Sequence, residues 1–171
     1  MLLLYRVCIL RSPNKKIFMK ELDKIDKEIL KILQNDCRIT AKDIAAHLGM
    51  SKTPVYERIK KLENQGYILK YVALTDPKKA NKGLITYISV LLHDHTHEAV
   101  ELFKQTINLL PEVTETYYVS GNTDFLLKVY TADMEDYHRF ITQHFANIEN
   151  VHRFYSTFVM ESSKNETAFE F

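Results

Sequence analysis

The sequence predicts an α+β protein whose N-terminal part is helical and whose C-terminal part follows the order β-α-β-β-α-β. Apolar residues recur at helical spacing in the first part, and strand-length apolar runs alternate with helical patterns in the second. Charge changes sign along the chain: residues 1–82 contain 18 Lys and Arg against 9 Asp and Glu, and residues 83–171 contain 5 against 13. The charge split predicts a polyanion-binding module fused to a second domain with a different task.

Three amphipathic helices are predicted in the N-terminal part. The first ends near residues 35–36, and its apolar stripe is Leu22, Ile25, Ile29, Ile32 and Leu33. Thr40 with Asp43 forms an N-cap pattern for the second helix, and Gly49 suits the left-handed residue that ends it. Ser51 is an N-cap candidate for the third helix, which has Pro54 in its first turn. The apolar stripe of this helix is Val55, Ile59 and Leu62, and Gly66 ends it.

Two short helices joined through a glycine-containing turn predict a helix-turn-helix, whose second helix enters the DNA major groove. Residues 67–74 have the pattern of a strand and would begin a wing, and residues 76–83 (DPKKANKG) form a linker by their turn chemistry. The predicted organisation is an N-terminal extension over 1–18, a winged helix-turn-helix domain over 19–74, a linker over 75–83 and a second domain over 84–171.

The second domain is predicted to have a ferredoxin-like fold. Strands are expected over 84–92, 113–120, 125–130 and 151–160, and helices over 98–110 and 133–145. Such a sheet leaves one face without helices. The residues expected on that face are Tyr87, Tyr117, Phe125, Leu127 and Phe158. Because they are apolar or aromatic, we expect another surface to cover them.

The predicted DNA contacts lie on and around the third helix. Hydroxyl groups and a helix N-terminus bind phosphate, Lys and Arg neutralise it, and Arg can read guanine. The candidates for binding double-stranded DNA are Lys42, Ser51, Lys52, Thr53, Tyr56, Glu57, Arg58, Lys60 and Lys61. A solvated Lys-rich helical hairpin is the alternative interpretation. The charge split and the combination of turn, cap and following strand favour DNA binding.

Residues 22–68 resemble the DNA-binding domain of the Lrp/AsnC (leucine-responsive/asparagine-responsive, feast/famine) regulators. The positions that fit that family's pattern are Leu22, Asp23, Asp26, Ile29, Leu30, Leu33, Gln34, Asp36, Arg38, Leu48, Gly49, Ser51, Pro54, Arg58, Leu62, Glu63, Gly66 and Ile68. The resemblance continues through VSGNTDFLLKV (119–129) to FVME (158–161). It therefore covers both predicted domains.

The resemblance implies a transcription regulator that responds to a small molecule. In this family two sheets pack face to face to form a homodimer, dimers assemble further, often into octamers, and an amino-acid effector binds between dimers. The positions implied as effector-binding are Tyr118, Gly121, Asn122, Thr123, Asp124, Met134, Thr157, Phe158 and Val159. On the residues alone, 120–124 (SGNTD) is a hairpin turn in which Gly and Asn favour positive φ.

Other site types are not expected. His93, His95 and His97 alternate, but they lie where a strand gives way to a helix, so solvated imidazoles are favoured over a metal site. The sequence lacks a nucleophile elbow, a phosphate loop and a dinucleotide fingerprint, so neither catalysis nor a cofactor is expected. Two cysteines and the absence of a membrane-length apolar run favour a cytoplasmic location without membrane partners, and the predicted DNA binding implies association with the nucleoid.

Three hypotheses follow from the sequence. The first is a sequence-specific regulator with an amino-acid effector, and the second is an architectural nucleoid-type protein with little sequence preference. The third is a ligand-binding or enzyme-accessory module with a vestigial helix-turn-helix, against which the basic N-terminal half argues.

Overall fold

Residues 21–171 are described by a computed structural model, and they belong to two compact units. The helical unit comprises residues up to Val72 together with Thr167–Phe171, and the sheet unit comprises Ala73–Glu166. The predicted extension over 1–18 lies outside the described residues. Within the described range, no helix is both long and apolar enough to cross a bilayer.

The helical unit contains α1 (Lys24–Asn35), α2 (Ala41–His47) and α3 (Lys52–Asn64). The predicted caps explain these bounds. The Thr40 hydroxyl accepts the Asp43 N–H at 3.2 Å, and Gly49 and Gly66 adopt φ of +64° and +76°, where a side chain would be strained. The buried core of this unit is Ile29, Leu30, Ile44, Ala45, Val55 and Leu62. Apolar burial between all three helices therefore holds the helix-turn-helix together.

The strand predicted over 67–74 is wrong: these residues form neither strand nor helix. Its first two N–H groups, those of Tyr67 and Ile68, donate to the Leu62 carbonyl at the end of α3, at 3.0 and 3.3 Å. A strand also needs a neighbouring strand to pair with, and the described residues of the helical unit contain no strand. Leu69 and Leu74 remain 84% and 70% exposed. The strand-like composition of residues 67–74 therefore does not produce a strand, because the segment has no strand to pair with.

The sheet unit has the predicted element order. Strands β1 (Leu84–Leu92), β2 (Val113–Tyr118), β3 (Phe125–Thr131) and β4 (Val151–Phe158) form an antiparallel sheet in the order β2-β3-β1-β4. Helix α4 (His97–Ile107) connects β1 to β2. Helix α5 (Met134–Arg139) follows the N-cap Asp133 and continues as a π-helical segment, Phe140–His144, and a 3₁₀ turn, Phe145–Asn147. The ferredoxin-like prediction is thereby confirmed.

The two faces of the sheet differ in burial because side chains alternate along each strand. On β1, residues at even positions from Thr86 to Leu92 are buried, and those at odd positions are half-buried. Phe125 and Leu127 are fully buried and Phe158 packs on the same core, so the prediction that these three lie on the open face is wrong. The pairing register explains the error, because Phe125 is opposite Val90 and Leu127 is opposite Ile88.

We predict that Phe103→Ala destabilises the sheet unit by about 3–5 kcal/mol. Phe103 is 1% exposed on α4 and its ring lies 4.7 Å from that of Phe125, so truncation would leave a cavity. The matched control is Leu102→Ala, since Leu102 is the preceding residue and is 55% exposed. Chemical denaturation should show a large loss for the first variant only. Equal losses would contradict this packing.

Candidate DNA-binding and effector sites

Helix α3 presents three different sides. Val55 and Leu62 are fully buried against α1 and α2. Arg58 and Lys61 form ion pairs with carboxylates of the α1 region. Four exposed residues occupy the remaining side: Lys52 and Thr53 at the start of the helix, Tyr56 three positions after Thr53, and Lys60 four positions after Tyr56. We call these four the open face of α3.

The open face contains four of the nine predicted DNA contacts. Ser51 is also exposed, and its side chain makes no capping bond to the helix. The first turn of α3 contains no acidic residue, so its N-terminal N–H groups and helix dipole are open to an anion. Lys42 is exposed on α2. Lys60 lies 2.7 Å from Glu63 and 5.8 Å from the centre of the Tyr56 ring.

Arg58, Lys61 and Glu57 are placed differently from the open face. The Arg58 guanidinium donates to Asp23 and Asp26, each at 2.6 Å, and the Lys61 ammonium lies 3.4 Å from Asp26. These side chains line a surface depression, and Glu57 lies at its wall. Asp26 is 2% exposed, so its charge requires these cationic partners. The ion pairs fasten α3 to the start of α1, and sequence reasoning assigned neither carboxylate a role.

Asp23 has a second task as the N-cap of α1. Its Oδ1 accepts the Asp26 N–H at 2.8 Å. That hydrogen bond, and after it the bond from Arg58, hold the pKa of Asp23 below its usual value. The same pairing raises the pKa of Arg58. Aspartates at both positions belong to the pattern that carried the family resemblance, but their spacing alone did not indicate which cation they would bind.

The predicted effector loop is anchored through Asp124. Its main chain accepts the Val119 N–H and donates to Val90, both at 2.8 Å, and its carboxylate accepts the Leu92 N–H at 2.8 Å. His95 Nε2 lies 3.0 and 3.1 Å from the two carboxylate oxygens. Gly121 adopts φ of +123°, as expected for this turn, whereas Asn122 does not have positive φ. The Asp124 carboxylate, one of the effector-binding candidates, is therefore already hydrogen-bonded within the chain.

The remaining effector candidates lie at two opposite ends of the sheet. Tyr118 is close to the loop, with its ring 4.9 Å from that of Phe125. Met134 and the end of β4, Thr157–Val159, lie at the other end, where the Val159 N–H bonds to Ile85. The two ends of the sheet are one strand length apart, and the seven residues of β3 span about 20 Å. One copy of the sheet unit therefore does not bring the two groups together.

The three alternating histidines also diverge. His93 packs on His152, with Nε2 to Nδ1 at 3.3 Å, whereas His95 meets Asp124 and His97 begins α4. In the described part of the chain, no three His, Cys, Asp or Glu side chains are grouped so that they could hold a metal ion.

Comparisons with known proteins match both units. Residues 85–169 match the family model of the Lrp/AsnC ligand binding domain, and residues 22–68 match that of a winged helix-turn-helix DNA-binding domain. The leucine-responsive regulatory proteins of Klebsiella pneumoniae and Escherichia coli K12 are each 34% identical over 151 residues, covering 88% of this chain and 92% of theirs.

Two solved structures are similar over most of their length. An AsnC family transcriptional regulator from Agrobacterium tumefaciens is 37% identical with a TM-score of 0.82, covering 86% of this chain and 95% of that one. A transcriptional regulator of Neisseria meningitidis, in complex with L-Met, is 31% identical with a TM-score of 0.83, covering 87% and 96%.

We predict that Arg58→Ala lowers the free energy of unfolding of the helical unit by roughly 1–3 kcal/mol, because it leaves Asp26 buried with Lys61 as its remaining cation. Lys60→Ala is the matched control, because it removes a 51% exposed cation that pairs with Glu63 on the same helix. Denaturant titrations should separate the two variants. If Lys60→Ala lowered the free energy of unfolding as much as Arg58→Ala, the stabilising role of the Arg58 ion pairs would be contradicted.

We predict that Asp23→Asn lowers the melting temperature at pH 7 and that this difference from wild type shrinks below about pH 4. The folded pKa of Asp23 is depressed, so its stabilising contribution is present above the unfolded pKa and is lost as pH falls through the folded pKa. Asn retains the N-cap, so the charge is what changes. Glu28→Gln, an exposed change on α1, is the control. A difference that does not vary with pH would contradict the assignment.

Proposed function

Because the chain belongs to the Lrp/AsnC family of transcription regulators, we propose that the open face of α3 binds specific DNA sites and that an amino acid modulates this binding. The observation that carries the proposal is the division of α3 into three sides: a buried apolar side, a side whose Arg58 and Lys61 pair with Asp26, and the exposed basic side that we call the open face. A helix held in this way presents its N-terminal residues to the major groove without rearranging.

The proposed roles differ among the nine candidate residues. Ser51, Thr53 and the first-turn N–H groups bind phosphate, Lys42, Lys52 and Lys60 neutralise it, and Tyr56 contacts bases or sugars. Arg58 and Lys61 act mainly by orienting α3 through Asp26, and Glu57 lies beside them. Arg58 would thus affect DNA binding as a positioning residue.

We further propose that the open face of the sheet pairs two copies into a homodimer. This face carries Tyr87 on β1, Leu126 and Tyr130 on β3, Tyr117 on β2 and Tyr155 on β4, all half-buried or exposed in one copy. Tyr117 and Tyr155 are 49% and 55% exposed. Aromatic side chains of this kind are enriched at interfaces, and a two-fold dimer would present two α3 helices to a pseudo-palindromic site.

The effector site is proposed to lie between dimers, with octamers as the larger assembly. Support comes from the separation of the candidate residues: the 118–124 group and the group of Met134 and Thr157–Val159 lie at opposite ends of one sheet. A pocket that uses both groups needs two copies. The L-Met complex of the Neisseria meningitidis regulator makes amino acids the first ligands to test.

Architectural DNA binding in the nucleoid of the cytoplasm is the second candidate function. One observation favours it: Arg58 is the arginine of α3, the residue type that reads guanine, and its side chain is held by two carboxylates. The open face then contains lysines, which neutralise phosphates without reading sequence. Footprinting distinguishes the two functions, because a regulator protects defined sites and an architectural protein protects DNA evenly.

We predict that Lys52→Ala weakens DNA binding about equally for selected and scrambled duplexes and lowers the salt slope, −dlogK/dlog[salt], by roughly 0.9. Lys52 is exposed at the start of α3. Lys31→Ala, an exposed lysine of α1, is the charge-matched control. Fluorescence anisotropy between 0.05 and 0.2 M salt, the range used for such slopes, measures both quantities. If the two variants had the same slope, α3 would lose its assigned role.

We predict that Asp124→Ala changes the effector response or the oligomer size while leaving the protein folded. Thermal-shift screening of the twenty amino acids, with sedimentation of any hit, measures the response. Asp94→Ala serves as the control. Asp94 is an exposed carboxylate next to His95, and it accepts hydrogen bonds from the N–H and the hydroxyl of Thr96. Identical responses in the wild type and the Asp124 variant would refute this site.

A further inference from the structure

The C-terminal segment Thr167–Phe171 contacts α1 of the DNA-binding unit. The Gln34 carboxamide donates to the Phe169 carbonyl and accepts the Phe169 N–H, each at 3.1 Å. The side-chain amide thus binds both main-chain groups of one residue, as a neighbouring strand would. Reversing the amide would place oxygen against oxygen and nitrogen against nitrogen, so the two bonds fix its orientation.

The contact depends on main-chain recognition more than on apolar burial. The Phe169 side chain is 68% exposed and that of Phe171 is 44% exposed, and their rings lie 5.2 Å apart. The segment contains neither helix nor strand. Two neutral, exposed hydrogen bonds give a weak net stabilisation. Attachment of such strength is reversible, so small changes elsewhere can shift the balance between docked and free segments.

The two ends of this segment have different connections. Upstream, it follows β4 and residues 157–159, which are effector candidates. At its docking point, it contacts α1, the helix whose Asp26 holds Arg58 and Lys61 of α3. The chain leaves the helical unit after Val72 and returns to it at Thr167. The segment is therefore a second connection between the sheet unit and the DNA-binding helices.

We propose that the Gln34 side of α1 is a docking site for an extended peptide, namely residues 167–171 of this chain, and that docking couples the sheet unit to DNA affinity. The coupling rests on the proposed DNA-binding function, whereas the docking itself does not. Any extended segment with a free N–H and carbonyl at the central position would satisfy Gln34. The sequence at that position matters less than its main chain.

The main-chain contact allows a matched pair of tests at one position. Phe169→Pro removes the N–H that Gln34 accepts, whereas Phe169→Ala keeps both main-chain groups. Gln34→Ala removes both bonds from the α1 side with a residue that favours helix. Gln105→Ala is the control, because Gln105 is an exposed helical glutamine of the sheet unit. None of these positions lies in the proposed DNA-contact or effector sets.

The first measurement is the hydrogen exchange rate of the Phe169 amide in the full chain, by mass spectrometry with fragmentation. We expect exchange about three- to tenfold faster in Gln34→Ala than in wild type, because a lost hydrogen bond is worth that factor, and no change in Gln105→Ala. Equal rates in wild type and Gln34→Ala would overturn the docking. This result does not depend on DNA binding.

The second measurement is the Kd for duplex DNA. We expect Gln34→Ala and Phe169→Pro to shift Kd by the same factor, the double variant to show no further shift, and Phe169→Ala to remain close to wild type. Two outcomes would overturn the coupling. One is that the shifts of the single variants add up in the double variant. The other is that the exchange rates establish docking, but Kd does not change in Gln34→Ala or Phe169→Pro. If no variant binds DNA, the proposed function fails and the coupling with it, while the exchange rates still decide the docking.

Discussion

The arrangement of the helical unit depends on one buried charge, the carboxylate of Asp26. A carboxylate that is 2% exposed is stable as an ion only beside cations, and α3 supplies two of them. Val55 and Leu62 hold α3 against α1 and α2, but apolar burial is non-directional and does not by itself select one rotation of α3. The directional bonds from Arg58 restrict those rotations. The rotation of α3 in turn decides which of its residues face outward, and therefore which can meet DNA.

This constraint divides the cations of α3 into two groups. Arg58 and Lys61 are paired with Asp23 and Asp26, whereas Lys52 is exposed and Lys60, which is 51% exposed, pairs with the half-buried Glu63. A count of positive residues treats all four as equivalent. Their different surroundings imply different consequences of mutation: removing Arg58 or Lys61 should lower stability, and, in the proposed function, removing Lys52 or Lys60 should weaken phosphate binding.

The sheet unit has a comparable division. Burial of one face by α4 and α5 forms the core, and the other face is left with aromatic side chains. The two groups of proposed effector residues lie at opposite ends of the same sheet. Dimerisation and ligand binding, in this proposal, are therefore both properties of the assembly. The segment that follows β4 hydrogen-bonds to Gln34 of α1, and in our proposal it links the helical unit to that assembly.

The sequence by itself determined the element order, most helix and strand bounds, the cap at Thr40, and the family. These features depend on local patterns: alternation, helical spacing, and the conformational preferences of cap residues. The tertiary structure decided which residues share a face and which charges pair. The open sheet face was misassigned because the parity of Phe125 relative to Tyr87 depends on strand register, and residues 67–74 lack a strand because pairing needs a neighbour. Arg58 with Asp26, His95 with Asp124 and Gln34 with Phe169 are 32, 29 and 135 positions apart. Contacts at such separations follow from the packing of whole elements, which no local pattern encodes.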